Sequence, residues 1–236
     1  CIRDRFRDGE FGARHNPEFT LLEWYRTGFD HLDLMDEVER FLTTVLAGIA
    51  PPDSVHHWTY RELFLEYAAI DPFTATSDEL RTLLLTRYNI HCETLSADDM
   101  DGWLDLVMTH VIEPRLGSGL VFVRDYPASQ AALSRLCTGN PPVAARFEVY
   151  LNGIELANGF YELADAVEQR ARFEKERARR AVDGLADVCV DEYLLSALES
   201  GLPDCAGVAL GVDRLVMIAC GAESLHEVLA FPLDAC

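Results

Sequence analysis

The stretch RFRDGEFGARHNPEFTLLEWYR, residues 5–26, limits what this chain can fold into more than any other segment. Arg7, Arg14 and His15 gather around an Asn16-Pro17 turn. The run that follows alternates Phe19, Leu21, Glu23 and Tyr25 with Thr20, Leu22 and Trp24. That period of two puts each set on one face of a strand. Two antiparallel strands, 1–7 and 19–26, around a loop at 8–18 are therefore expected. Cations at a loop beside an aromatic and acidic face suit a site that holds a polyanion at one end and an amine at the other. A nucleoside triphosphate with a basic amino acid is the simplest ligand pair of that shape. An ordinary amphipathic hairpin satisfies the same pattern.

Two further segments carry chemistry. GVALGVDRLVM, residues 207–217, reads as a buried strand with Gly207 and Gly211, after which Asp213-Arg214 opens a helix. Glycine within a strand marks close backbone approach, often to a ligand. The G-x-G-x-x-G spacing of a dinucleotide site is absent. In RFEVYLNGIELANGFYEL, residues 146–163, two strand-like runs flank Asn152-Gly153, a hairpin signal. Glu148 and Glu155 stand on either side of the turn, close enough to share a cation, and Asn158 and Glu162 follow. Buried carboxylates are costly unless paired or metal-bound. On an edge strand facing water they would need neither.

The rest of the chain frames these segments. Its 236 residues, 49% apolar, suit one domain with a substantial core. Helical spacing at Leu34, Val38, Phe41, Leu42 and Val45 predicts a helix over 33–48. Asp53 or Ser54 could cap a short helix ending near Tyr67, and further helices are expected at 77–88, 98–115, 164–182, 190–200 and 213–221. The long one at 164–182 offers Glu168/Arg172 and Glu176/Arg180 pairs on a solvated face. Strands are expected at 119–126 and 206–212. The fold class is α+β, a mostly antiparallel sheet flanked by helices. No apolar run approaches the ~20 residues that span a bilayer, and no signal-peptide pattern opens the chain. A cytoplasmic setting with no membrane partner is expected. A net charge of −20 argues against a broad nucleic-acid face. Seven cysteines show no C-x-x-C spacing and read as thiols. His56-His57, being adjacent, reads as surface.

Together the three segments resemble the catalytic domain of class II aminoacyl-tRNA synthetases, specifically the lysyl branch. F-R-x-x-E followed by RHNPEFT is similar to motif 2, GVALGVDRL to motif 3, and FE(x6)E(x2)NG(x3)E to the lysyl metal-and-substrate hairpin. The resemblance runs over residues 1–236 and is thinnest over 30–140. Within the branch it is strongest to the synthetase paralogues that attach (R)-β-lysine to elongation factor P. Three features favour these: LEWYR at 22–26, YPASQAAL at 126–133 in place of P-A-E-x-S-P-L, and Ala209 where the tRNA enzymes carry glycine. The family places motif 1, its main dimer contact, upstream of motif 2. A chain opening at Cys1 is therefore expected to lack motif 1 and the segment before it, and a homodimer is expected of the full-length protein.

The resemblance implies adenylate formation with ATP and Mg²⁺. Arg7 and Arg214 would be the catalytic residues, Arg7 on the α-phosphate and Arg214 over the adenine and γ-phosphate. Arg14 and His15 would reach the β- and γ-phosphates, Asn16 the adenine edge, and Phe19 would stack beneath the ring. Backbone at Leu156 and Gly211 would meet the nucleotide. Glu148 and Glu155 would hold the metal. Glu162, Glu23 and Tyr25 would form the amine pocket, Asn158 would orient the substrate, and Ala209 would reshape the cavity for a β-amino acid. One departure is visible: the family's F-R-x-E glutamate falls on Gly9, with Glu10 next, so Glu10 serves only if the loop shifts by one residue. The partners implied are elongation factor P and (R)-β-lysine or lysine, and tRNA is not the expected acceptor. Lysyl-tRNA synthetase is the first alternative. An inactive synthetase-like binding module is the second, weakened because Arg7, Arg214, Glu148, Glu155 and Glu162 are all present.

Overall fold

β-Alternating segments in this chain find one another in a single eight-stranded sheet. The computed structural model describes residues 4–7, 11–182 and 184–232. The strands are β1 (Asp4–Phe6), β2 (Glu18–Thr27), β3 (Val55–Thr59), β4 (Leu120–Pro127), β5 (Leu136–Cys137), β6 (Val143–Leu151), β7 (Ile154–Tyr161) and β8 (Cys205–Gly211). They run in the order β1-β2-β8-β7-β6-β4-β3, with β5 beside β6. All neighbours are antiparallel except β3 and β4. The mostly antiparallel α+β architecture matches the sequence expectation.

The two faces of the sheet are covered unequally. One face carries Phe122, Phe147, Val149, Ala157, Val208 and Leu210 against helix α1 (His31–Leu46). Asp30 starts α1 through a capping box with Asp33, satisfying amide donors that helix starts leave open. Leu34, Val38 and Leu42 turn inward as expected, but Val45 is exposed and Met35 and Leu46 are buried in its stead. On the opposite face, Val121, Val123, Tyr126, Ala144 and Tyr150 lie under a helical cap. That cap is built from α2 (Tyr60–Leu63), α3 (Ser77–Tyr88) and α4 (Met100–Val107). It covers only the β4 side. The β2–β8–β7 side of this face stays open, and the site forms there.

Three expectations are corrected. Residues 53–59 do not begin a helix: Val55–Thr59 pairs in parallel with β4, from Val55 opposite Leu120 to Thr59 opposite Arg124. The helix starts only at Tyr60, where Thr59 and Glu62 form a capping box, and it continues as a π-turn at Phe64–Ala68. The segment 98–115 is not one regular helix. Beyond α4 it widens to a π-turn at Met108–Ile112 and tightens to a 3₁₀ turn at Glu113–Arg115 around Pro114. In α5 (Ala166–Val182) the Glu168–Arg172 pair forms, whereas Glu176 pairs with Arg179 and Arg180 donates to the Ala186 carbonyl. α6 (Glu192–Ser200) follows, and α7 (Val212–Ala219) leaves β8 directly. Among the described residues no helix is long and apolar enough to cross a membrane.

Candidate active site

Strand register alone lines up the chemistry. Across the open face Glu23 lies opposite Ala209, Ala209 opposite Asn158, and Asn158 opposite Glu148. A second row runs Tyr25, Gly207, Phe160, Arg146. Residues directly opposite one another share a face, so both rows look into the open side. The β6–β7 hairpin carries a bulge. Tyr150 faces Glu155 and Val149 faces Ala157, leaving Leu156 as the extra residue. Residues three apart on a regular strand point to opposite faces; the bulge puts Glu155 and Asn158 on the same one.

A cavity of about 430 Å³ opens between β2, the hairpin and the start of α7. Its cationic end holds Arg7, Arg14, His15 and Arg214. The Arg7 guanidinium lies 5.1 Å from the centre of the Phe19 ring. Arg214 ties three segments together, donating to the Arg14 carbonyl at 3.2 Å and the Glu155 carbonyl at 2.9 Å. Its other arm meets His15 Nε2 at 2.9 Å. Asp213 pins β2 to this corner by accepting the Thr20 amide at 2.7 Å. Asn16 is buried on the cavity wall and donates to the Glu18 carbonyl at 2.6 Å. A Cβ placed on Gly211 would meet only the Leu156 carbonyl and Arg214 Cδ, at 3.7 and 4.0 Å. The backbone there lies open to the cavity.

The carboxylates Glu148 and Glu155 lie at the hairpin wall of the same cavity. Glu148 accepts from Tyr126 Oη at 2.7 Å, Tyr150 Oη at 2.5 Å and the Arg146 guanidinium. Burial, then the charge of Glu148, pushes Glu155 above the ordinary carboxylate range, although Arg214 stands 3.4 Å away. Glu113, at the end of the helical cap, is raised to about 7 by burial and by the charges of Glu148 and Glu155. Like charges held together favour a proton or a cation between them. Among the described residues no three His, Cys, Asp or Glu groups converge on one metal position. Two carboxylates leave the remaining positions of a hard cation to phosphate and water oxygens, the usual arrangement for Mg²⁺.

The residues expected to form an amine pocket lie beyond the cavity along the same face. Glu23, Tyr25 and Glu162 are not among the residues lining the 430 Å³ space. A Cβ on Gly207 would fall 2.5 Å from both Glu162 Oε1 and the Tyr25 ring. Glycine at 207 is thus what lets those two side chains approach the strand. Burial raises Glu162 to about 7, and among the described residues no cation pairs with it. Glu10 lies outside the described residues. Arg146 and Glu113 were not anticipated. Arg146 carried a signal, two residues before Glu148 and so on its face; Glu113, remote in sequence on an irregular turn, carried none.

Comparison with known proteins agrees with this geometry. Residues 1–235 match the family model described as class II tRNA synthetases (D, K and N). The chain is 47% identical over 230 residues to the elongation factor P–(R)-β-lysine ligase of Salmonella typhi, covering 97% of this chain and 69% of that protein. The same identity and coverage are found with the ligase of that name from Salmonella gallinarum (strain 287/91 / NCTC 13346).

Proposed function

We propose that this chain, which belongs to the class II tRNA synthetase family (D, K and N), uses ATP to activate (R)-β-lysine, or lysine, as an aminoacyl-adenylate. The activated group then passes to a lysine side chain of elongation factor P. One observation carries the reading: a single sheet face joins a corner of three arginines and His15 to a half-buried carboxylate, Glu162, that no described cation neutralises. The ligase names of the two relatives supply the acceptor.

In the first step the substrate carboxylate, already ionised, attacks the α-phosphorus, and pyrophosphate leaves with the bonding pair. No general base is required. Charge grows on the phosphoryl oxygens, so the protein contributes position and electrostatic stabilisation. Arg7 takes the α-phosphate with a rigid fork suited to two oxygens, and its contact with Phe19 places the adenine stack beside it. Arg14, His15 and Arg214 take the outer phosphates, with Asn16 at the adenine edge and the Leu156 and Gly211 backbone against the nucleotide. Bound Mg²⁺, held by Glu148 and Glu155, would neutralise phosphate charge. Glu162, Glu23 and Tyr25 receive the side-chain ammonium, while Asn158 orients the reacting end and Ala209 narrows the floor between Glu23 and Asn158. In the second step a neutral acceptor amine attacks the adenylate carbonyl, an amide forms, and AMP leaves as the amine proton passes to solvent.

The whole chain acts in this reading as one synthetase catalytic domain, cytoplasmic and homodimeric in the full-length protein. tRNA is not the proposed acceptor, because each phosphate contact requires a cation and the chain carries a net charge of −20. The test offers ATP, Mg²⁺ and either lysine isomer to full-length protein with elongation factor P or tRNA, following transfer by mass. A mass increase on the factor with (R)-β-lysine supports the proposal. Charging of tRNA with α-lysine while the factor stays unmodified would replace it by lysyl-tRNA synthetase.

A further inference from the structure

The resemblance drawn from the sequence singles out the segment 126–133, yet the reaction above leaves it without a task. Its residues form a shelf beneath Arg146. The Arg146 guanidinium lies 4.6 Å from the Tyr126 ring centre and 5.8 Å from that of Phe160. One N–H donates to the Gln130 carbonyl at 2.9 Å. Gln130 is itself anchored, its amide donating to Asp105 at 2.9 Å, and Ser129 donates to Asp101 at 2.6 Å. The side chain is only 16% exposed.

From this seat Arg146 reaches both halves of the site. Nε donates to Asn158 Oδ1 at 3.2 Å, and the far N–H group meets the Glu148 carboxylate. We infer that Arg146 is a positioning residue that holds Asn158 and Glu148 in one reactive geometry. A guanidinium has donors only, so the Asn158 amide must turn its oxygen toward Arg146. The two amide N–H donors then face the cavity, where an incoming carboxylate needs donors rather than acceptors. Glu148, gripped at once by Arg146, Tyr126 and Tyr150, keeps a fixed orientation toward the phosphates. Lysine could not substitute, since a single ammonium cannot span three acceptors set by a planar fork. This inference rests on the roles proposed above for Asn158 and Glu148.

The experiment compares Arg146→Lys, Asn158→Ala and the double variant in ATP–pyrophosphate exchange with (R)-β-lysine, with thermal unfolding of each. Arg146→Lys should raise the amino-acid KM and lower kcat, each by about tenfold or more, with a near-native unfolding temperature. Because Arg146 acts through Asn158, the double variant should have an amino-acid KM within about twofold of Asn158→Ala alone. Guanidinium ion added to Arg146→Ala should restore exchange in part, an effect a merely structural role would not show. Arg146→Lys with native KM and kcat, or a strictly multiplicative double variant, would overturn the inference while leaving the proposed function standing. Wild-type protein that supports exchange with neither lysine isomer would overturn both.

Discussion

Arg214 ties the site together through the Arg14 carbonyl, His15 and Glu155, partners that a triphosphate would partly replace. Its replacement by alanine should lower kcat for ATP–pyrophosphate exchange by ~10²-fold or more, because in the proposed reaction it would stabilise charge that grows in the transition state. The fold should persist, since Arg214 is not part of either apolar core. Unchanged exchange by Arg214→Ala protein would refute the assignment. Glu162 makes a pH argument. Burial raises it to about 7, so below that value the empty protein carries it protonated, and ammonium binding must expel the proton. Lysine affinity should therefore climb about tenfold per pH unit below ~7 and level off above it. Calorimetric titration at several pH values should show that slope, and Glu162→Gln should flatten it. A slope that survives in the variant would mean another group titrates.

At the scale of elements, the sheet register does the positioning. β8 can bring Tyr25 and Glu162 together only because residue 207 has no side chain. Gly207→Ala should raise the amino-acid KM by about tenfold or more and leave the ATP KM near native, since the added methyl displaces Glu162 and Tyr25, the proposed amine pocket, and not the arginine corner. Equal damage to both KM values, read by exchange kinetics, would show that β8 itself had moved. The junction of β3 and α2 depends on a different device. Thr59 and Glu62 cap each other's backbone, at the end of the edge strand β3. Thr59→Ala should cost about 1 kcal/mol, lowering the melting temperature by ~2–4 °C for a domain of this size. Its exchange activity should stay within about twofold of native. The same junction shows why 53–67 was misread. A cap residue before an apolar run suits a helix, but a parallel partner, β4, lies more than sixty residues away, and local pattern carries no record of it.

The whole molecule carries a net charge of −20 and holds half-buried carboxyls above their ordinary range, Glu162 and Glu113 both at about 7. Such groups bind more protons folded than unfolded, so stability falls as pH rises through the window from their unfolded values near 4 up to about 7, then levels. Metal-free, ligand-free protein should accordingly unfold at a lower temperature at pH 8 than at pH 5.5, and Glu162→Gln should narrow the gap. Scanning calorimetry decides; a higher melting temperature at pH 8 would mean that ion pairs, not buried carboxyls, dominate. Sodium chloride at pH 8 should recover part of the loss by screening the net negative charge.

Much of the candidate site was legible because its chemistry is written in contiguous strings. Strand periodicity put Phe19, Leu21, Glu23 and Tyr25 on one face before any partner was known, and the Asn152-Gly153 turn announced the hairpin that carries Glu148 and Glu155. The three strings also named the family, and with it the fold. What tertiary structure alone decided is alignment between strands. That Glu23, Ala209, Asn158 and Glu148 form one row depends on β8 inserting between β2 and β7 and on the Leu156 bulge. Long-range pairing and a one-residue shift leave no periodic trace. Arg146 was visible in the string but not its seat, since the Gln130 carbonyl and Tyr126 ring reach it only through packing of β4 against β6. Glu113 arrives from an irregular turn beyond α4, and only burial beside two other carboxylates makes it more than a surface acid.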